Sequence, residues 1–271
     1  MEQDLKLHNS NKSFSWSVPK GPYNFFSDED IECFNQKGFI VVEDAFSSSE
    51  VANVIGQIDP YEFNVTEALK GLDGGKFFIS RAEEITFTTH LVTQSETLKD
   101  FSKHNVFSKI CRDLIGPDVR LYWDQAVYKK PGTKDEFPWH QDNGYTFIEP
   151  QAYLTCWVAL TDTDETNGCP CVVPGLHKKG TLHHESTELG YEIPLDSSES
   201  ISLPLKAGSI AIFSSLTPHR TGPNLSDNIR KSYILQYAPE GSKRLISQSL
   251  TEDVNDESRQ FLILKDGEKV N

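Results

Sequence analysis

A histidine and an aspartate stand two residues apart in PWHQDNGYTF, residues 138–147, and such a pair can hold a metal. Side chains along an extended chain alternate faces, so His140 and Asp142 project to the same side if this stretch is a strand. A second histidine, His219, lies in SSLTPHRTGPN after the apolar run GSIAIFSS, far enough downstream to arrive on a different strand. Two histidines and one carboxylate form the facial triad of non-haem Fe(II) sites, which leaves positions open for a co-substrate and O₂. Arg230 follows His219 in the chain. If the co-substrate is 2-oxoglutarate, its far carboxylate must be gripped, and a guanidinium does so bidentately with a charge that does not titrate away. Thr221, two residues past His219 and on its face, offers a hydroxyl to the same carboxylate.

Each of these residues also has a plainer reading. H-x-D triplets occur by chance, His219 beside Pro218 suits a turn, and single arginines such as Arg230 are usually solvated. The order and separation of the four together carry the metal reading. Cys169 and Cys171 with His177 would make half of a zinc site, but a closed site needs a fourth ligand and a wider cysteine spacing. Buried packing is the better reading of those cysteines. His177 reads as structural, and His183 and His184 as solvated within an acidic loop over 183–200.

The elements that must position these residues are mostly strands. From about residue 120, short β-rich runs (RLYWDQAVYKK, AYLTCWVALTD, CVVPG, SISLPLKAGSIAIFSS, RKSYILQYAP) alternate with Pro, Gly, Asn and Asp clusters, the pattern of an antiparallel sandwich or barrel. Helices flank them. Ser27 and Asp30 cap a short amphipathic helix that stops at Gly38; FIVVEDAF reads as a strand; Ser47 and Glu50 form a capping box for SSSEVANVIGQI. Phe107, Ile110, Cys111, Leu114 and Ile115 recur at helical spacing and predict a third helix packed on one sheet face. A turn is expected at Gly74–Gly75. Residues 1–22 read as a flexible arm ahead of a single domain over 23–271.

Composition narrows the partners. Forty acidic against 26 basic residues give a formal charge of −14, a field that repels nucleic acid and anionic membranes. No run approaches a membrane span, and the first residues lack the pattern of a signal peptide. Five cysteines without a disulfide framework fit a reducing, cytoplasmic setting. The expected partner is a small-molecule substrate, for a chain that is a monomer or weak homo-oligomer.

From Glu29 to Pro239 the chain resembles the phytanoyl-CoA dioxygenase (PhyH) family of Fe(II)/2-oxoglutarate-dependent oxygenases. The resemblance rests on GFIVVEDAFSSSEV, WHQD, NGCPCVVPGLH, KAGSIAIFSSLTPHRTGPN and NLSDNIRKSYILQY. It departs from the family's pattern at Pro170 and Leu176. It implies a mainly β fold with flanking helices, built on a double-stranded β-helix (jelly-roll, cupin-like) core. By the same resemblance His140, Asp142 and His219 are the iron ligands, Arg230 and Thr221 anchor 2-oxoglutarate, and Trp157 and Gln125 line the co-substrate pocket. Family members often carry Met where Gln125 stands. Retention of Asp142 implies hydroxylation, desaturation or oxidative cyclisation rather than halogenation, because halogenating relatives replace this carboxylate. Arg81, Tyr145 and Phe147 are candidates for the substrate side; Trp139, alternating with His140, faces the core. Two other classes remain open: a non-catalytic jelly-roll module that binds 2-oxoglutarate as a sensor, and a hydrolase or isomerase using another metal on the same scaffold.

Overall fold

The computed structural model describes residues 5–247 and 250–270. Its main sheet is antiparallel and runs Phe39–Val42, Ile210–Ser214, Leu154–Ala159, Arg230–Pro239, Val119–Lys129, Ile85–Thr89, Ser80–Arg81, Lys76–Phe77. Leu262–Lys265 joins it on the Val119–Lys129 strand. A smaller sheet of Ile201–Ser202, Pro170–Val172, His219–Thr221 and Phe137–His140 faces it. This is the double-stranded β-helix the resemblance implies. Period-two alternation supplies both surfaces of the main sheet: Trp157, Ile234 and Val127 point inward with Phe213 and Val172, while Cys156, Val158, Tyr233 and Leu235 point outward.

The outward face is covered by helices, and their sequences explain why. In Asp28–Lys37 the side chain of Ser27 accepts from the Asp30 amide and Asp30 returns the bond, while Ile31 and Phe34 are buried. Full burial of a side chain such as Phe34 contributes roughly 1.5–3 kcal/mol. Gly38 ends the helix at φ 82°, and a Cβ there would sit 2.5 Å from His177 Nδ1 and from Thr217 Oγ1. The second helix, Ser48–Lys70, runs much further than its capping box suggested and passes through Pro60. It persists because Ile58, Thr66 and Leu69 are buried and Glu62 is held by Lys130 at 2.6 Å and by Thr66 and Thr86 at 2.8 Å. Asn105–Leu114 forms as its periodicity predicts, preceded by a short helix, Glu96–Ser102, that the sequence reading did not identify. No helix among the described residues is long and apolar enough to cross a membrane.

Along its described length the N-terminal segment makes specific contacts with the rest of the chain. His8 donates its backbone N–H to Thr181, Asn11 is buried and its amide donates to the carbonyls of Lys179 and Thr181, and Trp16 Nε1 donates to Asn35. These partners lie far along the chain, so no local pattern announces them. The 183–200 loop carries its own hairpin, Glu185–Thr187 with Gly190–Glu192. The turn at Gly74–Gly75 is present, both glycines at positive φ.

Candidate active site

His140 is the last residue of its strand and His219 the first of its own, and the two stand directly opposite in an antiparallel pair. Opposed residues in such a pair share a face, which brings the imidazole centroids to 4.1 Å. Asp142 arrives differently from the strand alternation the sequence suggested. The strand stops at His140, Gln141 stays extended, and Asp142 begins a single helical turn, Asp142–Tyr145. Asp142 Oδ1 lies 3.9 Å from His140 Nε2 and 3.8 Å from His219 Nε2. All three ligand atoms fall within 4.8 Å of one another, and this trio is the only such metal-capable group among the described residues.

Hydrogen bonds fix which atoms face the shared point. His140 Nδ1 donates to the Pro138 carbonyl at 2.8 Å and His219 Nδ1 to that of Thr217 at 3.0 Å, which leaves both Nε2 lone pairs inward. Asp142 Oδ2 accepts from Thr155 Oγ1, whose own oxygen accepts from Gln236 Nε2 at 3.2 Å. One carboxylate oxygen is therefore held and the other is presented. Burial, assisted by His219, pushes His140 down to about 3, and burial pushes His219 down to about 4. Both imidazoles are neutral near pH 7, the form that ligates a metal. Burial raises Asp142, as desolvation of a carboxylate does.

Between the ligands, Gln141 is fully buried and makes a clamp that sequence reasoning missed. Its backbone N–H donates to His184 Nε2 at 2.9 Å; its side chain donates to the carbonyls of Gly180 and Leu216 and accepts from the Leu182 amide at 2.6 Å. Asn143 donates to Thr181 Oγ1 at 2.7 Å, and Thr181 in turn bonds Gln151. His184 is thus bonded and half-buried, not solvated, and a Cβ on Gly144 would lie 2.0 Å from its ring. The segment Gly180–His184 ties the ligand turn to the N-terminal segment through Asn11.

Arg230 opens the central strand of the main sheet, opposite Lys129, and is 1% exposed. Its Nη1 donates to Ser232 Oγ at 2.7 Å and to Val127 O, and its guanidinium lies 5.3 Å from the centre of the Trp157 ring. Nε and Nη2 are buried with no partner. Burial lowers Arg230 to about 10, so it stays charged at neutral pH. Trp157, Ile234 and Gln125 form one row across three strands, and Trp123 Nε1 donates to Gln125 Oε1 at 3.2 Å. Thr221 is half-buried, its Oγ1 3.5 Å from the ammonium of Lys129. That lysine, also missed, is buried; desolvation and then Arg230 lower it to about 7, and it donates to Gly222 O at 2.5 Å.

A cavity of about 850 Å³ opens from His140 and Asp142 toward solvent. Gln125 and Tyr145 line it; Tyr145 sits edge-on to His140 at 5.3 Å and its hydroxyl accepts from the Tyr191 amide. Phe147 does not, because the helical turn after Gln141 breaks the alternation and sends the ring out to stack on His8 at 4.9 Å. Arg81 does not either. It donates to Glu188 O at 3.3 Å, lies 3.9 Å from Glu84, and lines a separate groove with Glu136 and Arg220. Trp139 packs against Cys171 and Val173, and His177 meets Trp16 and Asn35 O, away from the ligand trio. Tyr122, Trp123, Tyr153 and Gln236 also line the cavity; extending the alternation from Gln125 and Arg230 would have found Trp123 and Gln236.

The residues fit iron and 2-oxoglutarate on two counts: a convergent pair of imidazole nitrogens with one carboxylate oxygen, and two buried guanidinium donors left for an anion. Comparison with known proteins agrees. The family model "Phytanoyl-CoA dioxygenase (PhyH)" matches residues 34–232. The chain is 24% identical over 245 residues to a phytanoyl-CoA dioxygenase of Arabidopsis thaliana, covering 76% of this chain and 87% of that protein. It is 28% identical over 239 residues to an ectoine dioxygenase of Bordetella bronchiseptica, covering 78% and 75%. Its fold is that of SnoK, a non-haem alpha-ketoglutarate-dependent carbocyclase of nogalamycin biosynthesis, with TM-score 0.67 at 20% identity over 84% of this chain and 91% of that one. None of these supports a non-catalytic sensor. The chain belongs to the phytanoyl-CoA dioxygenase family, and it is an Fe(II)/2-oxoglutarate-dependent dioxygenase.

Proposed function

We propose that the protein oxidises a C–H bond of a small organic molecule, by hydroxylation, desaturation or oxidative cyclisation, with release of succinate and CO₂. The reading is carried by the convergence of His140 Nε2, His219 Nε2 and Asp142 Oδ1, with His140 and Asp142 lining a cavity large enough for an organic substrate. His140, Asp142 and His219 would hold the iron. Arg230 would grip the far carboxylate of 2-oxoglutarate with its two unpartnered donors, with Thr221, Trp157 and Gln125 shaping that pocket. When bound, the metal and co-substrate supply the oxidising power from O₂.

The chain's own residues orient and exclude. Thr155 and Gln236 hold Asp142 so that one oxygen faces the metal point, and the two backbone carbonyls fix the imidazole tautomers. Tyr145 and Phe137 pack beside His140 and keep the substrate side of the ligands apolar. Retention of the carboxylate supports oxygenation over halogenation. The acidic charge and five free cysteines support a cytoplasmic setting, as a monomer or weak homo-oligomer. The test is an anaerobic titration with Fe(II) and 2-oxoglutarate followed by O₂ and measurement of succinate. Iron-dependent succinate formation is expected; a protein that binds neither iron nor 2-oxoglutarate would remove the proposal.

A further inference from the structure

The walls of the cavity specify a kind of substrate. Phe87, Tyr122, Trp123, Phe137, Tyr153 and Tyr191 form its sides. At its lip the hairpin that pairs Lys76–Phe77 with Ser80–Arg81 carries Phe77 and Phe78, which are 70% and 62% exposed. Phe78 holds φ 50°, a backbone conformation that bulky residues avoid and that sets its ring on the lip. Two neighbouring exposed phenyl rings beside an aromatic-lined cavity are surface that a ligand can cover.

The opposite lip is charged, yet its charges are matched among themselves. Arg244 pairs with Glu252, Arg259 with Asp256 at 2.9 Å, and Asp253 with Lys243 at 3.1 Å. These pairs set three cations against three carboxylates, and Asp142 at the base is assigned to the metal. An incoming carboxylate, sulfate or phosphate would meet lip cations already paired with carboxylates, and apolar walls that strip its hydration. The buried guanidinium with unpartnered donors, Arg230, is not part of this lining and is assigned to the co-substrate. Neutral oxygen functions, by contrast, find the phenolic residues Tyr122, Tyr145 and Tyr191 within the same walls.

We propose that the substrate is a bulky, ring-containing, largely apolar molecule that carries no anionic group. This rests on the cavity being the substrate site of the proposed oxygenase. The volume lies toward the upper end of the range of ~300–1,000 Å³ that encloses drug-sized ligands, so a fused-ring skeleton fills it and a compact zwitterion leaves most of the aromatic wall uncovered. The class therefore differs from the anionic acyl thioester that the family's name suggests.

A matched pair of probes on one skeleton tests it: a neutral tetracyclic 3-hydroxysteroid and its 3-sulfate. Each is titrated anaerobically into the Fe(II)–2-oxoglutarate complex, with the visible charge-transfer absorption and tryptophan fluorescence as readouts. The neutral steroid is expected to bind at least about tenfold more tightly than the sulfate. The double variant Phe77→Ser, Phe78→Asn should weaken the steroid about threefold or more while affinity for 2-oxoglutarate stays unchanged; asparagine tolerates the positive φ. Equal or tighter binding of the sulfate overturns the inference, and so does absence of steroid binding to a complex that has bound 2-oxoglutarate. Failure to bind 2-oxoglutarate at all would instead remove the proposed activity, and this inference with it.

Discussion

The two ends of the cavity are built on different terms. At the metal end the proposed ligands sit on paired strands and on one short turn between them, and their remaining polar atoms are engaged: both Nδ1 atoms by carbonyls, Asp142 Oδ2 by Thr155, and the neighbouring Gln141 by Gly180, Leu182 and Leu216. At the mouth the surface comes from a two-residue hairpin and from the chain around 252–260, with exposed rings on one side and self-paired charges on the other. The metal end is pre-organised for one arrangement, because chemistry common to a family needs fixed ligands. The mouth is free to differ, because a loop can exchange side chains without disturbing the strands that carry the ligands. Thermodynamically the two ends should therefore separate under mutation.

Asp142→Ala gives the largest effect. It removes one of the three proposed ligands and should lower iron affinity and succinate formation by at least about 100-fold, while thermal stability holds or rises because a buried carboxylate is lost. Calorimetric iron titration beside a melting curve checks both; a variant that melts far below the parent would show that Asp142 serves the fold instead. Arg230→Met comes next. Loss of a charge-assisted grip should weaken 2-oxoglutarate by about 30- to 1,000-fold, some 2–4 kcal/mol, with iron affinity retained. Iron affinity falling in parallel would mean that the co-substrate pocket and the metal point are one mechanical unit.

How much of this was readable in advance follows the same division. His140, Asp142, His219 and Arg230 could be picked out as candidates because the chemistry calls for those residue types in that order, and the structure brings the first three within 4.8 Å of one another as a group able to hold a metal. Where the inference relied on local periodicity it held inside strands and failed at their ends. Gln125 and Trp157 share a row as alternation requires. Phe147, past the end of the Phe137–His140 strand, turned away because the chain changes from extended to helical at Asp142. Arg81 was assigned by resemblance alone, and the hairpin that carries it directs its guanidinium to Glu188. What stayed hidden was long-range: Gln141 to Gly180, Asn11 to Thr181, and the run of Ser48–Lys70 through Pro60 depend on partners that no window of sequence contains.

Gln141→Leu sharpens the comparison from inside the ligand segment. Its side-chain hydrogen bonds go to the backbone of Gly180, Leu216 and Leu182 and to none of the proposed ligands, so it is a positioning residue whose loss leaves three buried backbone partners unsatisfied. Iron affinity should fall about 10- to 100-fold, and the visible spectrum of the Co(II)-substituted protein should change in band position. Gln141→Glu, which keeps the acceptor for the Leu182 amide, should recover part of the affinity. A variant that loses stability alone, with an unchanged Co(II) spectrum, would reduce Gln141 to packing.

The smallest effect concerns acid. His177, between the N-terminal segment and the first helix, donates to Asn35 O and is pushed by burial down to about 4. Above pH ~6.5 neither the folded nor the unfolded chain protonates it. Between that pH and about 4 the unfolded chain binds a proton that the folded one refuses, so stability declines on acidification by up to about 1.4 kcal/mol per pH unit from this residue. His177→Gln keeps a donor for Asn35 and cannot titrate. Denaturant unfolding of metal-free protein from pH 7 to 4.5 should therefore show a shallower decline in the variant than in the parent. Equal slopes would show that burial beneath the N-terminal segment does not hold the His177 imidazole neutral in the folded protein.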